Sequence, residues 1–478
     1  NVRIVDGSGG AAYDGQLRIV GDVIDAVGKV RRRNDDRVVD GRGLVVAPGF
    51  IDTHSHADSD LFGNPDALAA VSQGITTAVV GLDGSSPYPL RDFVARYEQT
   101  GAAINLAAYA GHNTLRDAVM GEDFERGATD AEIRRMQELL AGELAAGALG
   151  LSTGLEYDPG IHASTAEVVA LAETAADAGG RYISHIRSED RALLPAIEEL
   201  LEIGRVTGMP VQISHLKLAM KTLWGSAEDL IDRLDAARRE GIDVTADVYP
   251  YEYWQSTMMV LLPERDPGDL EAVRFALQEL APPEGMWFTQ FEPNRDYVGM
   301  TLAEIAALRE SDPVTTFSEL ALEALAMARE TGRQVESIIG TSMREADIET
   351  LLAWEHTNIC SDGSLADGHP RGAGSFPRVL GRYVRERELF SLETAVHKMS
   401  GLAADHMGFV DRGRLVPGAR ADLVLFDPET VIDRATAEEP SLLSVGIEGV
   451  WVGGVRVYEN GAASGERPGR FIPRRMPR

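Results

Sequence analysis

Short β-prone runs separated by Gly and Asp turns open the chain: Val2 to Val5, Gln16 to Val20 and Arg37 to Gly43. The same texture returns only after residue 411, in Ala421 to Asp427 and Gly449 to Val457. Two ends of one texture flanking a different pattern predict a small β-sandwich domain built from residues 1–46 and 407–478. Between them, apolar β-prone runs alternate with helical stretches. The runs are Leu44 to Ile51, Thr76 to Val80, Ile104 to Tyr109, Ala148 to Ser152, Arg181 to Ser184, Pro210 to Ser214, Asp243 to Ala246 and Thr357 to Cys360. Thr129 to Ala146, Ser164 to Ala178 and Ser226 to Glu240 carry the apolar spacing and the Ala, Glu, Leu and Arg content of amphipathic helices. Strand and helix alternating eight times predict an α/β fold, a (β/α)8 TIM-like barrel over residues 47–406. The rhythm breaks from Leu261 to about Arg344, where a Pro-rich opening and separate helical segments predict an excursion after strand seven that is open to reading as a lid.

Composition narrows the partners. With 46 Lys and Arg against 75 Asp and Glu, the net charge of −29 repels phosphate backbones and anionic headgroups, so nucleic acid and membrane surfaces are not expected partners. No run reaches the roughly 18 to 20 apolar residues of a membrane span, and no basic-then-apolar signal opens the chain. The expectation is a soluble, cytoplasmic protein, with a removed leader left open because residue 1 is Asn rather than Met. The Arg- and Pro-rich tail, Arg467 to Arg478, reads as a surface segment or a subunit contact, so a homo-oligomer is a further expectation. A single cysteine, Cys360, excludes an intrachain disulfide and any Cys-based zinc cluster. A metal would have to rest on His and carboxylates.

In a parallel barrel the reacting side chains project from the C-terminal strand ends, so the polar residues there carry the chemistry. Strand one ends in Asp52-Thr53-His54-Ser55-His56, strand two in Asp83, strand five in His185, strand six in His215-Leu216-Lys217 and strand eight in Ser361-Asp362-Gly363. Histidines two positions apart on a strand face the same side, so His54 and His56 can share one cation. His185 and His215 each follow a β-prone run and a Ser. Asp362 sits before a Gly at a tight turn, where a carboxylate beside a metal-activated water can act as general base and then as acid. An Asx turn or a helix cap is the structural alternative for Asp362.

These residues, in this order, resemble the amidohydrolase superfamily, and more narrowly the N-acyl-D-amino-acid deacylase (D-aminoacylase) family. The resemblance rests on Ala47 to His56, Gly150 to Tyr157, His215-Leu216-Lys217, Tyr249-Pro250-Tyr251, His369-Pro370-Arg371, and Asp411-Arg412-Gly413 with Pro417-Gly418 and Ala421-Asp422-Leu423. It implies a metal-dependent hydrolase acting on N-acyl-D-amino acids, with one or two divalent ions, zinc first, held by His54, His56, Asp83, His185, His215 and Asp362. It further implies a small-molecule substrate whose free carboxylate is bound by Lys217 and Arg371 with Tyr157 and Tyr249. A guanidinium fork and an ammonium suit a carboxylate, although both cations are equally able to pair with structural acids.

Two departures stand out. The carboxylated lysine that many relatives carry on strand four has no counterpart here, where Ser152 stands. Asp83 in Gly81-Leu82-Asp83-Gly84 occupies the place of a metal-binding cysteine of the family, which favours harder ions such as Mn²⁺ or Fe²⁺ more than a thiolate would. Glu156 is a second candidate for that carboxylate. The missing lysine argues against dihydropyrimidinase-like and isoaspartyl-dipeptidase-like activities, yet cyclic amide, dipeptide or lactone hydrolysis stays open as an alternative, and a non-catalytic relative as a further one. The bulky run Tyr251 to Thr257 either reshapes the substrate side-chain pocket or anchors the excursion.

Overall fold

The computed structural model describes residues 2–366 and 368–475. Eight parallel strand positions form the barrel: Phe50–Asp52, Ile75–Val80, Asn105–Ala108 continued by Ala110–Gly111, Gly150–Gly154, Arg181–His185, Val211–Ile213, Val244–Val248 and Thr357–Ile359. The first three pair side by side, and Ala110–Gly111 carries the third onto the fourth. Strands one and eight meet through a parallel bridge between Ser55 and Gly363, and the His56 backbone N–H donates to the Gly363 carbonyl at 2.9 Å. Asp52 strengthens this seam by accepting from the Ser361 backbone N–H at 2.8 Å.

The helices lie where amphipathic spacing places them, and their ends have chemical causes. Asp130–Ala145 begins at a Thr129 cap whose hydroxyl accepts from the Glu132 N–H, while Glu132 reaches back to the Thr129 N–H. Thr165–Asp177 starts at the Ser164 cap in the same way, without the return bond.

The predicted first strand, Leu44 to Ile51, is two elements. Val45–Pro48 joins a sheet made from both chain ends, antiparallel to Leu423–Phe426 and parallel to Val2–Ile4, and only Phe50–Asp52 enters the barrel. Gly49 makes the crossing: a Cβ there would lie 2.3 Å from the Thr76 side chain, so nothing larger passes. The apolar run gave no sign of the break because both halves are fully buried. The sheet of the two ends has eight strands, adding Tyr13–Val20, Val23–Gly28, Ile447–Val452, Val455–Glu459 and Ala462–Ala463. The tail beyond it runs against the barrel, where the Ile472 N–H donates to Leu106 O at 2.7 Å and the Arg474 N–H to Gly147 O at 2.9 Å.

The excursion opens earlier than Leu261. Tyr253–Ser256 pairs antiparallel with Glu336–Thr341, which in turn pairs with Met286–Phe291. The helices Leu302–Leu308 and Pro313–Thr331 complete a subdomain set over the strand-seven end of the barrel. A strand whose partner lies 80 residues away carries no local sign of that partner.

Candidate metal and substrate site

Three of the strand ends use a backbone conformation that side-chain-bearing residues seldom adopt. Asp83, His215 and Asp362 have φ of 51°, 35° and 52°. Asp tolerates the left-handed region moderately well, but for an imidazole-bearing residue it is uncommon. At each position the turn ends the strand abruptly and brings the side chain into the barrel mouth. Gly84 follows Asp83 because a Cβ there would lie 2.2 Å from Asn113 Oδ1. His215 is fixed further by its own backbone N–H, which donates to Asp247 Oδ1 at 2.6 Å, while the Gln212 amide donates to Asp247 Oδ2 at 2.6 Å.

The donor atoms converge. One ligand atom from each of His54, Asp83, His215 and Asp362 lies within 4.8 Å of the others, and His185, Glu189 and His215 form a second such group. Asp83 is the hub: its Oδ2 stands 3.3 Å from both His54 Nε2 and His56 Nε2, and its Oδ1 stands 3.3 Å from His215 Nε2. His56 Nε2 also meets Asp362 Oδ1 at 3.1 Å. His185 bridges toward the second group, with Nδ1 3.0 Å from His215 Nε2 and Nε2 2.9 Å from Glu156 Oε2. Among the described residues the Glu156 carboxylate contacts one imidazole, that of His185, whereas Asp83 contacts three.

The electrostatics suit a cation. Burial would raise the Asp83 carboxyl, but His54 and His215 hold it well below the usual carboxylate range. The Asp362 carboxyl is likewise depressed despite its burial, by Arg371, His215 and His56. Burial works against a charged imidazole at His56 and His215, yet hydrogen bonds donated to Asp362 and Asp83 carry the former well above its ordinary value, and Glu189 and Asp83 carry the latter to about 10. Positive charge is thus favoured at this spot, and a divalent ion would supply it in place of protons on the imidazoles. His54 Nδ1 is buried without a hydrogen-bond partner among the described residues, a cost that cation binding nearby relieves. The donor set of imidazole and carboxylate fits Zn²⁺, Mn²⁺ or Fe²⁺.

The four residues expected around a substrate carboxylate line the cavity that opens beside this cluster. Tyr157 tilts over His185 with ring centroids 4.4 Å apart. Lys217 Nζ and the Arg371 guanidinium stand 5.6 and 5.1 Å from the Tyr249 ring centre, and the Tyr249 hydroxyl is buried with no partner. Both cations also engage acids, Lys217 with Glu189 at 2.6 Å and Arg371 with Asp362. His369 sets Arg371 in place: its Nδ1 accepts from the Arg371 backbone N–H at 2.9 Å, so its Nε2 donates to Tyr253 O at 3.0 Å.

Sequence reasoning passed over Glu189, Asp247 and His369 as functional positions. Glu189 lies four residues beyond His185 in the loop after strand five, an acid near a strand end that the placement rule alone could have flagged. Asp247 lies inside strand seven and acts through His215, which no local pattern reveals. His369 stood inside a quoted motif with no role attached to it.

A model of the amidohydrolase family matches residues 37–282 and 299–458. The chain is 38% identical to an N-acyl-D-glutamate deacylase of Alcaligenes xylosoxydans xylosoxydans, over 98% of this chain and 95% of that protein. It is 37% identical to a D-aminoacylase of the same organism, over 98% and 96%. A crystal structure of an N-acyl-D-glutamate deacylase from Bordetella bronchiseptica, complexed with zinc and a phosphonate inhibitor mimicking the tetrahedral intermediate, aligns with a TM-score of 0.87 at 37% identity, covering 99% of this chain and 98% of that one.

Proposed function

The chain belongs to the amidohydrolase family, and we propose that it hydrolyses the amide bond of N-acyl-D-amino acids, releasing a carboxylate and the free amino acid. One observation carries the reading: metal-type donors and a receptor for a carboxylate share a single cavity, lined by His215 and Asp362 together with Lys217, Tyr249 and Arg371. Relatives similar over nearly the whole chain are named for this activity.

His54, His56, Asp83, His185, His215 and Asp362 would hold one or two divalent ions, zinc being the metal in the Bordetella relative. Such an ion supplies Lewis-acid polarisation of the acyl carbonyl and acidifies a water. The chain's own residues do the rest. Lys217 and Arg371 receive the substrate carboxylate, the first as a point charge and the second as a planar fork, and the unpartnered Tyr249 hydroxyl donates to it. That anchoring orients the amide toward the strand ends. Asp362, held ionised by Arg371 and the imidazoles, accepts the proton of the attacking water at its carboxylate and returns it to the departing nitrogen. Tyr157, tilted over His185, excludes solvent from that side.

Amine release from paired N-acetyl-D- and N-acetyl-L-amino acids, with metal content measured on the same protein, tests the proposal. D-selective turnover with one or two ions per chain is expected. Absence of turnover after Zn²⁺, Mn²⁺ and Fe²⁺ have each been supplied would overturn it. Among the described residues no helix is long and apolar enough to cross a membrane. Cytoplasmic residence and a homo-oligomer are proposals resting on the sequence, to be tested by cell fractionation and by light scattering.

A further inference from the structure

One relative is named for a glutamate substrate and another simply as a D-aminoacylase, yet their identities to this chain are 38% and 37%, so overall similarity does not select between them. The cavity does. Beyond the carboxylate receptor, and beside the polar Gln255 and Ser256, its wall is built by Ala219, Trp254, Val260, Leu261 and Leu280. Four of these come from the excursion, where Tyr253–Ser256 and the turn Met258–Leu261 lie at the barrel mouth. Trp254 presents only ring surface, because its indole N–H is spent on Ser342 Oγ at 2.8 Å. Gln255 lines the same wall, but its amide nitrogen is committed to Thr289 and Ser337, leaving no donor for a ligand.

The charges point the same way. Among the described lining residues the only Lys and Arg side chains are Lys217 and Arg371, both within reach of the Tyr249 ring and both assigned to the α-carboxylate, while the lining imidazoles, His185 and His215, belong to the metal-type cluster. The acids that line the cavity with them are Glu156, Glu189 and Asp190, besides Asp362. Lys217 balances Glu189 at 2.6 Å, and Asp190 is turned toward Arg191 at 3.1 Å, whose guanidinium lies outside the cavity over Phe275. A second carboxylate on the substrate would leave water for an apolar wall with no free cation and acids at its edge, which costs more than any contact there returns. A cationic side chain would be desolvated against the same apolar wall, with each acid already partnered.

We propose that this cavity selects N-acyl-D-amino acids with uncharged, apolar side chains, of the leucine or methionine type, and rejects those of aspartate and glutamate. The inference rests on the deacylase reading above and names its substrate class. Apolar contact is favourable through area removed from water, and the wall residues are already held in place by the sheet of the excursion.

The test is kcat/KM on the metal-loaded protein for N-acetyl-D-leucine, -methionine, -lysine, -aspartate and -glutamate, repeated for Val260→Arg, which places a cation on a half-buried wall position. Leucine and methionine derivatives are expected to be preferred over the acidic ones by at least about tenfold, and Val260→Arg to shift that ratio toward the acidic substrates. Acidic or lysine derivatives turned over as well as leucine would overturn the inference while leaving the deacylase reading intact. A ratio unmoved by a folded Val260→Arg overturns the assignment of this wall to the side chain. No turnover of any member overturns the deacylase reading, and the inference with it.

Discussion

His56 Nε2 lies 3.1 Å from Asp362 Oδ1, although 306 residues separate them. The contact joins the ends of strands one and eight across the seam of the barrel, where the His56 N–H also meets the Gly363 carbonyl. It places the proposed proton carrier against a metal-type donor, and the first prediction follows from it.

Asp362→Asn keeps the side-chain shape and a residue type that accepts the left-handed φ of 52°, so the fold is expected to hold. It removes the carboxylate that receives the proton. Steady-state kinetics should show kcat lowered by roughly 10²- to 10⁴-fold with an unchanged far-UV circular dichroism spectrum. Retention of more than a tenth of the activity would assign proton transfer elsewhere.

Asp83 contacts three imidazoles, so its loss should empty the site more than loss of Glu156 does. Elemental analysis of Asp83→Ala is expected to show less than half the metal of the parent, and Glu156→Gln close to the parent value. Asp83→Cys should shift competition between Mn²⁺ and Zn²⁺ toward zinc, because a thiolate is the softer ligand. Equal metal content in all three proteins contradicts the role given to Asp83.

Tyr249→Phe deletes a buried hydroxyl that has no partner. Removing such a group relieves a desolvation cost of about 1–3 kcal/mol, so thermal stability should stay level or rise. On the proposed role of the hydroxyl at the bound carboxylate, KM for the N-acyl amino acid should increase severalfold with kcat less affected. A lowered melting temperature with KM unchanged would make Tyr249 a packing residue only.

Glu336 anchors the excursion by accepting the Met258 N–H at 2.9 and 3.1 Å, and burial pushes its carboxyl from 4.5 up to about 8 against that hydrogen bond. The folded protein therefore binds this proton more tightly than the unfolded chain. Its contribution to stability is full below about pH 4.5 and is lost as pH rises through about 8. Glu336→Gln removes the loss while keeping an acceptor for Met258. Chemical denaturation between pH 5 and 9 should show the variant gaining on the parent as pH rises, by an amount on the order of a few kcal/mol. A difference that is flat with pH would mean that Glu336 is ionised in the folded state.

Much of the barrel was legible along the chain because its signals are local. Alternation of strand and helix, the caps at Thr129 and Ser164, and polar residues at strand ends all depend on neighbours a few positions away. The histidines and Asp83 could be read as candidate ligands for the same reason: in a parallel barrel a strand end is a place, so position along the chain implies position in space. Other features needed the folded molecule, since they depend on partners far apart in sequence. The division of Leu44 to Ile51 between two sheets turns on Leu423–Phe426 arriving beside Val45–Pro48. Trp254 becomes part of a cavity wall only because Glu336–Thr341 pairs with its strand. That Lys217 neutralises Glu189, and Arg371 Asp362, sets how many free cations remain for a ligand. Residue types and local periodicity select the chemistry a chain can attempt, and side-chain specificity is settled by which distant groups share a desolvated cavity.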